Sequence, residues 1–258
     1  MQKSLSRKLA KNINIMKYSN GSLKKDEVSL INEVKYNVFI NSKKVLSIML
    51  LPVFLEEFIY GFLFTSGFIN SIDEVMNIRI CDSNNFYVYI NKKIELTSDF
   101  TAITGYSCGK LLACEAEAVI RLDSNLRINA ADMDSYVEYI INESELCRYT
   151  HCAQTATFLN DDKRYSFDDI ESCNAIDRIV GFNLLNKIGF NGVLILKDRI
   201  TCDVVYKCIR AKIPVIITKS SPTFAATMLA KKANITLIGI AEVGTFNLYN
   251  DEAGRVNL

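Results

Sequence analysis

From about Glu171 onward the sequence alternates between stretches of helical periodicity and short runs that are apolar at nearly every position. Helices are predicted over 174–188, 201–212 and 223–233. Each is followed by a strand, at 192–196, 214–218 and 236–240, and residues 246–249 add a last one. A strand without polar alternation needs cover on both faces, so this half is expected to fold as an α/β sheet between layers of helix. No internal repeat or low-complexity tract interrupts it.

The first half has a different rhythm. Val34, Tyr36, Val38 and Ile40 alternate along one strand, Asn41-Ser42-Lys43-Lys44 turns the chain, and residues 45–51 form a second strand. Pro52 opens a helix that runs to about residue 64 and stops at Gly67. Strands over 75–81 and 86–90 follow, joined across Asp82-Ser83-Asn84-Asn85. A loop over 97–109, a helix over 110–120 and another over 132–141 complete the order. The expected fold is mixed α/β in three parts. A flexible basic arm, or an edge strand, covers residues 1–25, a small antiparallel β-plus-helix subdomain covers 26–105, and a loop-bearing α/β/α domain covers 106–258.

Charge and hydropathy exclude several roles. Lys and Arg number 30 against 29 Asp and Glu, a formal net charge of +1, which lacks the basic surplus of a nucleic-acid binder. No apolar run reaches the roughly 18 to 20 residues that span a bilayer; the longest candidate, residues 45–55, is interrupted by Ser47 and Pro52. The N-terminus carries scattered Lys and Arg but no apolar block with a cleavage site. A cytoplasmic protein without membrane contact is expected.

Eight cysteines, at 81, 108, 114, 147, 152, 173, 202 and 208, are too dispersed for a disulfide framework in 258 residues. In a reducing compartment each is either a small buried hydrophobe or a reactive thiol. Thr104-Gly105-Tyr106-Ser107-Cys108-Gly109-Lys110 is the strongest candidate for the second kind. A thiolate at the mouth of a helix is favoured by the helix dipole, by free N–H groups and by a neighbouring lysine, and the two glycines give the sulfur reach. Cys114 and Cys173 are expected to pack rather than react. His151, the single histidine, stands beside Cys152. Neighbours in a strand point to opposite faces, which argues against a shared metal or acid–base role.

Four segments resemble the formate dehydrogenase accessory sulfurtransferases, the FdhD family. Residues 55–69, with Glu56-Glu57 and Gly61-Phe62-Leu63-Phe64, are similar to that family's Glu-Glu and Gly-Phe-Leu-Phe helix. Tyr106-Ser107-Cys108-Gly109 matches the start of its Ser-Ser-Cys-Gly-x-Cys-Gly loop. Asp168-Asp169-Ile170, with Asn174-Ala175-Ile176-Asp177-Arg178-Ile179-Val180-Gly181, resembles its Glu-Asp-Val-Gly-Arg-His-Asn-Ala-x-Asp-Lys motif. Ala211-Lys212-Ile213-Pro214, Ser220-Ser221-Pro222-Thr223, Leu237-Ile238-Gly239 and Phe246-Asn247-Leu248-Tyr249 follow in the family's order. Together they span about residues 34 to 250.

The resemblance implies a sulfur relay. A thiolate takes a sulfane sulfur from a cysteine desulfurase and passes it to a molybdenum or tungsten cofactor bearing two pyranopterin guanine dinucleotides, before that cofactor enters formate dehydrogenase. Cys108 stands at the persulfide position. Ile240, Ala241, Glu242, Val243, Gly244 and Thr245 stand in the cofactor-contacting segment, near a strand end where α/β proteins bind nucleotides. Arg199 is the second candidate contact, able to hold a phosphate or to cap a strand end. The resemblance further implies a homodimer, a cofactor met only as a transient ligand, and a C-terminal half similar in fold to cytidine deaminase. The deaminase's zinc set is absent, so its reaction is not carried over.

The departures are specific. The family's second loop cysteine is Leu111 here, its Gly-Arg-His reads Glu171-Ser172-Cys173, and its histidine in a Thr-Gly-Gly-x-His segment reads Gln154. The arginine usual before the Phe-Asn-x-Tyr strand is replaced around Glu242. Exchanging a cation for a carboxylate weakens attraction for pyrophosphate. Two alternatives to the relay therefore stand. One is a diverged accessory protein that binds cofactor or partner without transferring sulfur; the other is a thiol or metal sensor, which no Cys-x-x-Cys pair supports.

Overall fold

A computed structural model of the chain describes residues 9–81, 84–93, 119–141, 144–161 and 163–258. The expected loop over 97–109 and nearly all of the expected helix over 110–120, Cys108 and Cys114 included, lie outside the described residues. Residues 119 and 120 are not helical.

The C-terminal half is a six-stranded sheet in the order β13-β12-β11-β10-β8-β9. Its strands are β8 (Gln154–Asn160), β9 (Lys163–Asp169), β10 (Val193–Leu196), β11 (Val215–Thr218), β12 (Thr236–Glu242) and β13 (Thr245–Asn250). β10, β11 and β12 run parallel, and β8 opposes both of its neighbours, so β9 runs with the parallel set. β10 and β11 are buried at every position, as continuous apolar runs demand. Leu194, Leu196 and Ile216 face one core with helices α4 (Ser172–Leu185), α5 (Cys202–Ala211) and α6 (Phe224–Ala233). Val193, Ile195, Val215 and Ile217 face the other, where Met133, Val137 and Ile140 of α2 (Met133–Ile141) close the third layer.

The smaller sheet, β4-β3-β6-β5, comprises β3 (Val34–Ile40), β4 (Lys43–Leu50), β5 (Val75–Cys81) and β6 (Asn85–Ile90). It is mixed rather than antiparallel, because β3 and β6 run parallel. Helix α1 (Leu55–Thr65) carries the chain from β4 at one edge to β5 at the other, and the β5–β6 hairpin then returns β6 beside β3. Phe58, Ile59, Phe62 and Leu63 of α1 fill this core.

The opposite face of α1 lies on α4 and joins the two halves. A Cβ on Gly61 would stand 1.7 Å from the Asp177 carbonyl oxygen, and one on Gly181 would stand 1.7 Å from that of Glu57. Only hydrogen at both positions permits this approach. Buried charge reinforces the seam. Arg178 pairs with Asp169 and donates to the carbonyls of Val53, Phe54 and Leu51, the last two at 3.0 Å. Lys207 Nζ lies 2.5 Å from Asp177 Oδ1, which also accepts from Thr65 Oγ1 at 2.7 Å.

The stretch to residue 25, read as a mobile arm or an edge strand, is from Ala10 a hairpin of β1 (Ala10–Ser19) and β2 (Ser22–Ile31), and the boundary at 25 falls inside β2. Its turn residues Asn20 and Gly21 both have positive φ, as a tight two-residue hairpin turn requires. A short helix, α3 (Glu145–Thr150), and the two-residue strands β7 (Ile128–Asn129) and β14 (Val256–Asn257) complete the fold.

Candidate functional site

Because β9, β10, β11 and β12 run the same way, their C-terminal ends share one rim with the start of β8. Ligands of open α/β sheets bind outside such strand ends. The loops along the rim are laced together. Thr218 Oγ1 donates to the Asp198 carbonyl at 2.6 Å, Thr223 N to Ile200 O at 2.9 Å, and Ile240 N to Ser220 O at 2.9 Å. This lacing brings Arg199, exposed just after β10, onto the same rim as the segment from Ile240 to Thr245.

That segment is the β12–β13 hairpin, with an irregular register between Gly239 and Glu242. Ile240 has φ +49, a left-handed conformation that a β-branched residue rarely adopts. Ala241 is buried, whereas Ile240, Glu242, Val243, Gly244 and Thr245 are exposed. Gly244 N donates to Asp134 Oδ1 at 2.8 Å, which fixes the turn against the first turn of α2.

Among the described residues, carboxylates offset the cations of the rim. Glu171, Asp198 and Arg199 share a neighbourhood, where partial burial and the Asp198 charge raise the Glu171 carboxyl above its usual range against the pull of Arg199. Asp168 accepts from Thr155 Oγ1 at 2.6 Å, yet burial raises its carboxyl too. Glu242 adds an exposed carboxylate. Lys197 and Lys219, both exposed, with Arg199, supply the positive side. Next to the rim, Tyr139, Cys147, Ala153, Thr155, Thr157 and Lys197 line a crevice between the sheet and α2–α3. Sequence reasoning missed Thr155 and this crevice, although the alternation of Thr155 and Thr157 with Ala156 and Phe158 marks a half-buried strand.

The described thiols sort by environment. Cys208 is fully buried, and burial drives its thiol far above the usual range. Cys202 opens α5, but burial and Asp203 push its thiol up as well, outweighing any help from the helix end. Cys173 is half-buried in the first turn of α4, and Cys152 is exposed. His151 and Cys152 are not in a strand: His151 is the left-handed cap that ends α3, and β8 starts only at Gln154. The alternating-face argument therefore does not apply to them. In the motif of residues 168–181, Asp169, Asn174, Asp177 and Arg178 are buried at the seam rather than presented on the rim. Among the described residues, no cluster of three His, Cys, Asp or Glu side chains could hold a metal ion.

The decisive comparison is with known sequences. A model of the FdhD/NarQ family matches residues 31–257. The chain belongs to the FdhD/NarQ family. Among its FdhD relatives, the sulfur carrier protein FdhD of Staphylococcus haemolyticus is 28% identical over 250 residues, covering 92% of this chain and 93% of that protein. The sulfur carrier protein FdhD of Bacillus pumilus is 30% identical over 236 residues, covering 88% and 89%. A Desulfotalea psychrophila crystal structure, described as a possible formate dehydrogenase accessory protein, superposes with a TM-score of 0.78 at 25% identity, covering 96% of this chain and all of that one. The family resemblance read from the four sequence segments is thus met over nearly the whole chain.

Proposed function

We propose that this FdhD/NarQ-family protein is a sulfur carrier serving formate dehydrogenase, with Cys108 as its catalytic thiol. The Cys108 thiolate attacks the terminal sulfur of a cysteine desulfurase persulfide. The desulfurase S–S bond breaks, its cysteine leaves as thiolate, and Cys108 holds the sulfur as a persulfide. The acceptor is a molybdenum or tungsten bis-pyranopterin guanine dinucleotide, a substrate met transiently rather than a resident cofactor. Release of the sulfur as hydrosulfide takes two electrons, supplied by a second thiolate that attacks Cys108 and forms a disulfide with it. Arg199 and the hairpin from Ile240 to Thr245 contact the nucleotide part, on the rim where α/β sheets hold such ligands. The setting is the cytoplasm, and the working form is a homodimer.

What carries this reading is the conjunction of family membership over residues 31–257 with a cysteine in the family's Ser-Cys-Gly loop. A second reading, cofactor or partner binding without sulfur transfer, is favoured by Leu111 at the second cysteine position and by carboxylates on the rim. Intact-mass measurement after incubation with a cysteine desulfurase and cysteine separates the two. A gain of one sulfur atom that disappears in Cys108→Ala supports the relay, and an unchanged wild-type mass favours the binding protein. The rim is tested by melting with guanosine diphosphate. A native-state ligand at 100 times its Kd stabilises by about 2.7 kcal/mol, so a clear rise in Tm that Arg199→Ala diminishes is expected. No rise at millimolar nucleotide contradicts the assigned contacts.

A further inference from the structure

Ser220-Ser221-Pro222-Thr223 leads from β11 into α6, so α6 begins on the same rim as Arg199 and the β12–β13 hairpin. Its first residue, Phe224, is 83% exposed, more than any other large apolar side chain of the described residues except the terminal Leu258. Val243 at 65% and Ile240 at 40% add apolar surface along that rim. Single exposed apolar residues are ordinary, but these three line the edge on which an α/β sheet holds its ligands. The backbone beneath the phenyl ring is held from both sides. Thr223 N donates to Ile200 O at 2.9 Å, and Ile200 bridges to Pro222. On the other side, Ile240 N donates to Ser220 O at 2.9 Å, and a Cβ on Gly239 would stand 2.8 Å from that oxygen and 3.2 Å from Pro222 Cδ. Thr223 caps the helix, its Oγ1 accepting from Ala226 N at 3.2 Å. At the first position of a helix the Cα–Cβ bond leans toward the N-terminus, here toward the rim. A ring with two torsions on a fixed backbone loses little freedom when a ligand covers it.

The neighbours of the ring define what it fits. Arg199 and Lys219, both exposed, directly precede Ile200 and Ser220, the two residues that anchor the loop. A lone phosphate would use the cations and gain nothing from a phenyl ring. A purely apolar ligand would cover the ring and leave the cations without a partner. A nucleotide presents a flat π-face and an anionic group in one molecule. Aromatic rings beside cations hold bases in this way, because every base has a face on which a ring can stack. We propose that Phe224 is a base-stacking residue of the rim, its ring covering the face of a guanine base while Arg199 holds the phosphates of the same nucleotide. The inference rests on the nucleotide-bearing acceptor of the proposed function and deepens it by naming the contact that binds the base.

The chain contains no tryptophan, so Phe224→Trp in the full-length protein introduces a single indole reporter at this position. Its emission is expected to fall saturably with guanosine diphosphate, with the midpoint that calorimetry gives for the same variant. Inorganic pyrophosphate should leave the emission unchanged. In calorimetry, Phe224→Ala should weaken binding of guanosine diphosphate at least about fivefold, the lower end of what a base–aromatic stack contributes. The Tm of that variant without ligand should stay close to the wild type, because the ring is exposed. Unchanged affinity in Phe224→Ala, or indole emission that bound guanosine diphosphate does not alter, would overturn the stacking and leave the Arg199 contact standing. Equal quenching by pyrophosphate would overturn it as well, since phosphate rather than base would then lie beside the ring. A wild type that does not bind guanosine diphosphate at millimolar concentration would overturn both the stacking and the nucleotide contacts of the rim.

Discussion

The side chains with the heaviest energetic burden are buried ions that the sequence motif does not advertise as such. Asp177 and Lys207 are thirty positions apart, and only the crossing of α4 and α5 beneath α1 brings them together. Removing one partner of a buried pair typically costs about 3–5 kcal/mol because the other charge is left uncompensated. Lys207→Met should therefore lower stability by about that amount in urea titrations, and Asp177→Asn in the same chain should recover most of the loss. A double variant no more stable than the single one would show that the charge pairing is not what matters there. Asp168 makes a pH-dependent prediction. Burial raises its carboxyl in the folded protein, so the folded state takes up that proton before the unfolded chain does, and stability from this group rises as pH falls through the raised value. Relative to Asp168→Asn, the wild type should gain stability as pH falls from neutral through the raised carboxyl range. A relative loss on acidification would contradict the assignment.

At the level of elements, the α1–α4 crossing decides how the two sheets are joined. Gly181→Ala forces a methyl group into the Glu57 carbonyl, and overpacking of this kind costs about 1–3 kcal/mol. Equilibrium unfolding should show a loss at the upper end of that range, whereas an unchanged midpoint would mean that the helices separate freely. The α/β alternation was legible in the sequence because burial on both faces leaves β10 and β11 no polar position. The β8–β9 hairpin is written more weakly, in the alternation of Thr155 and Thr157 with Ala156 and Phe158 and without the continuous apolar run of β10 or β11. The parallel pairing of β3 with β6 depends on where α1 crosses, which no local pattern encodes. The polar composition around Asn20-Gly21 fits a mobile arm as well as an edge strand, and only the pairing of β1 with β2 decides for a strand. At the site, Arg199 and the hairpin from Ile240 to Thr245 were placed near strand ends by family resemblance, and the folded chain has them on one rim. The carboxylates of Glu171 and Asp198 become neighbours only through folding.

For the molecule as a whole, a glycine crossing and two buried ion pairs make the halves one cooperative unit. Hydrogen exchange should give β3 and β6 the same opening free energy as β10 and β11. Clearly earlier exchange of the smaller sheet would divide the chain into separate folding units. Burial raises the thiols of Cys202 and Cys208, which disfavours either as a nucleophile, and the thiol proposed for sulfur transfer is Cys108. Peptide mapping by mass spectrometry after loading from a cysteine desulfurase is the most direct test. The account predicts one added sulfur on the peptide containing residues 104–110, removed by dithiothreitol and absent in Cys108→Ala. Sulfur found on Cys152 or Cys173 with Cys108 unmodified would contradict it.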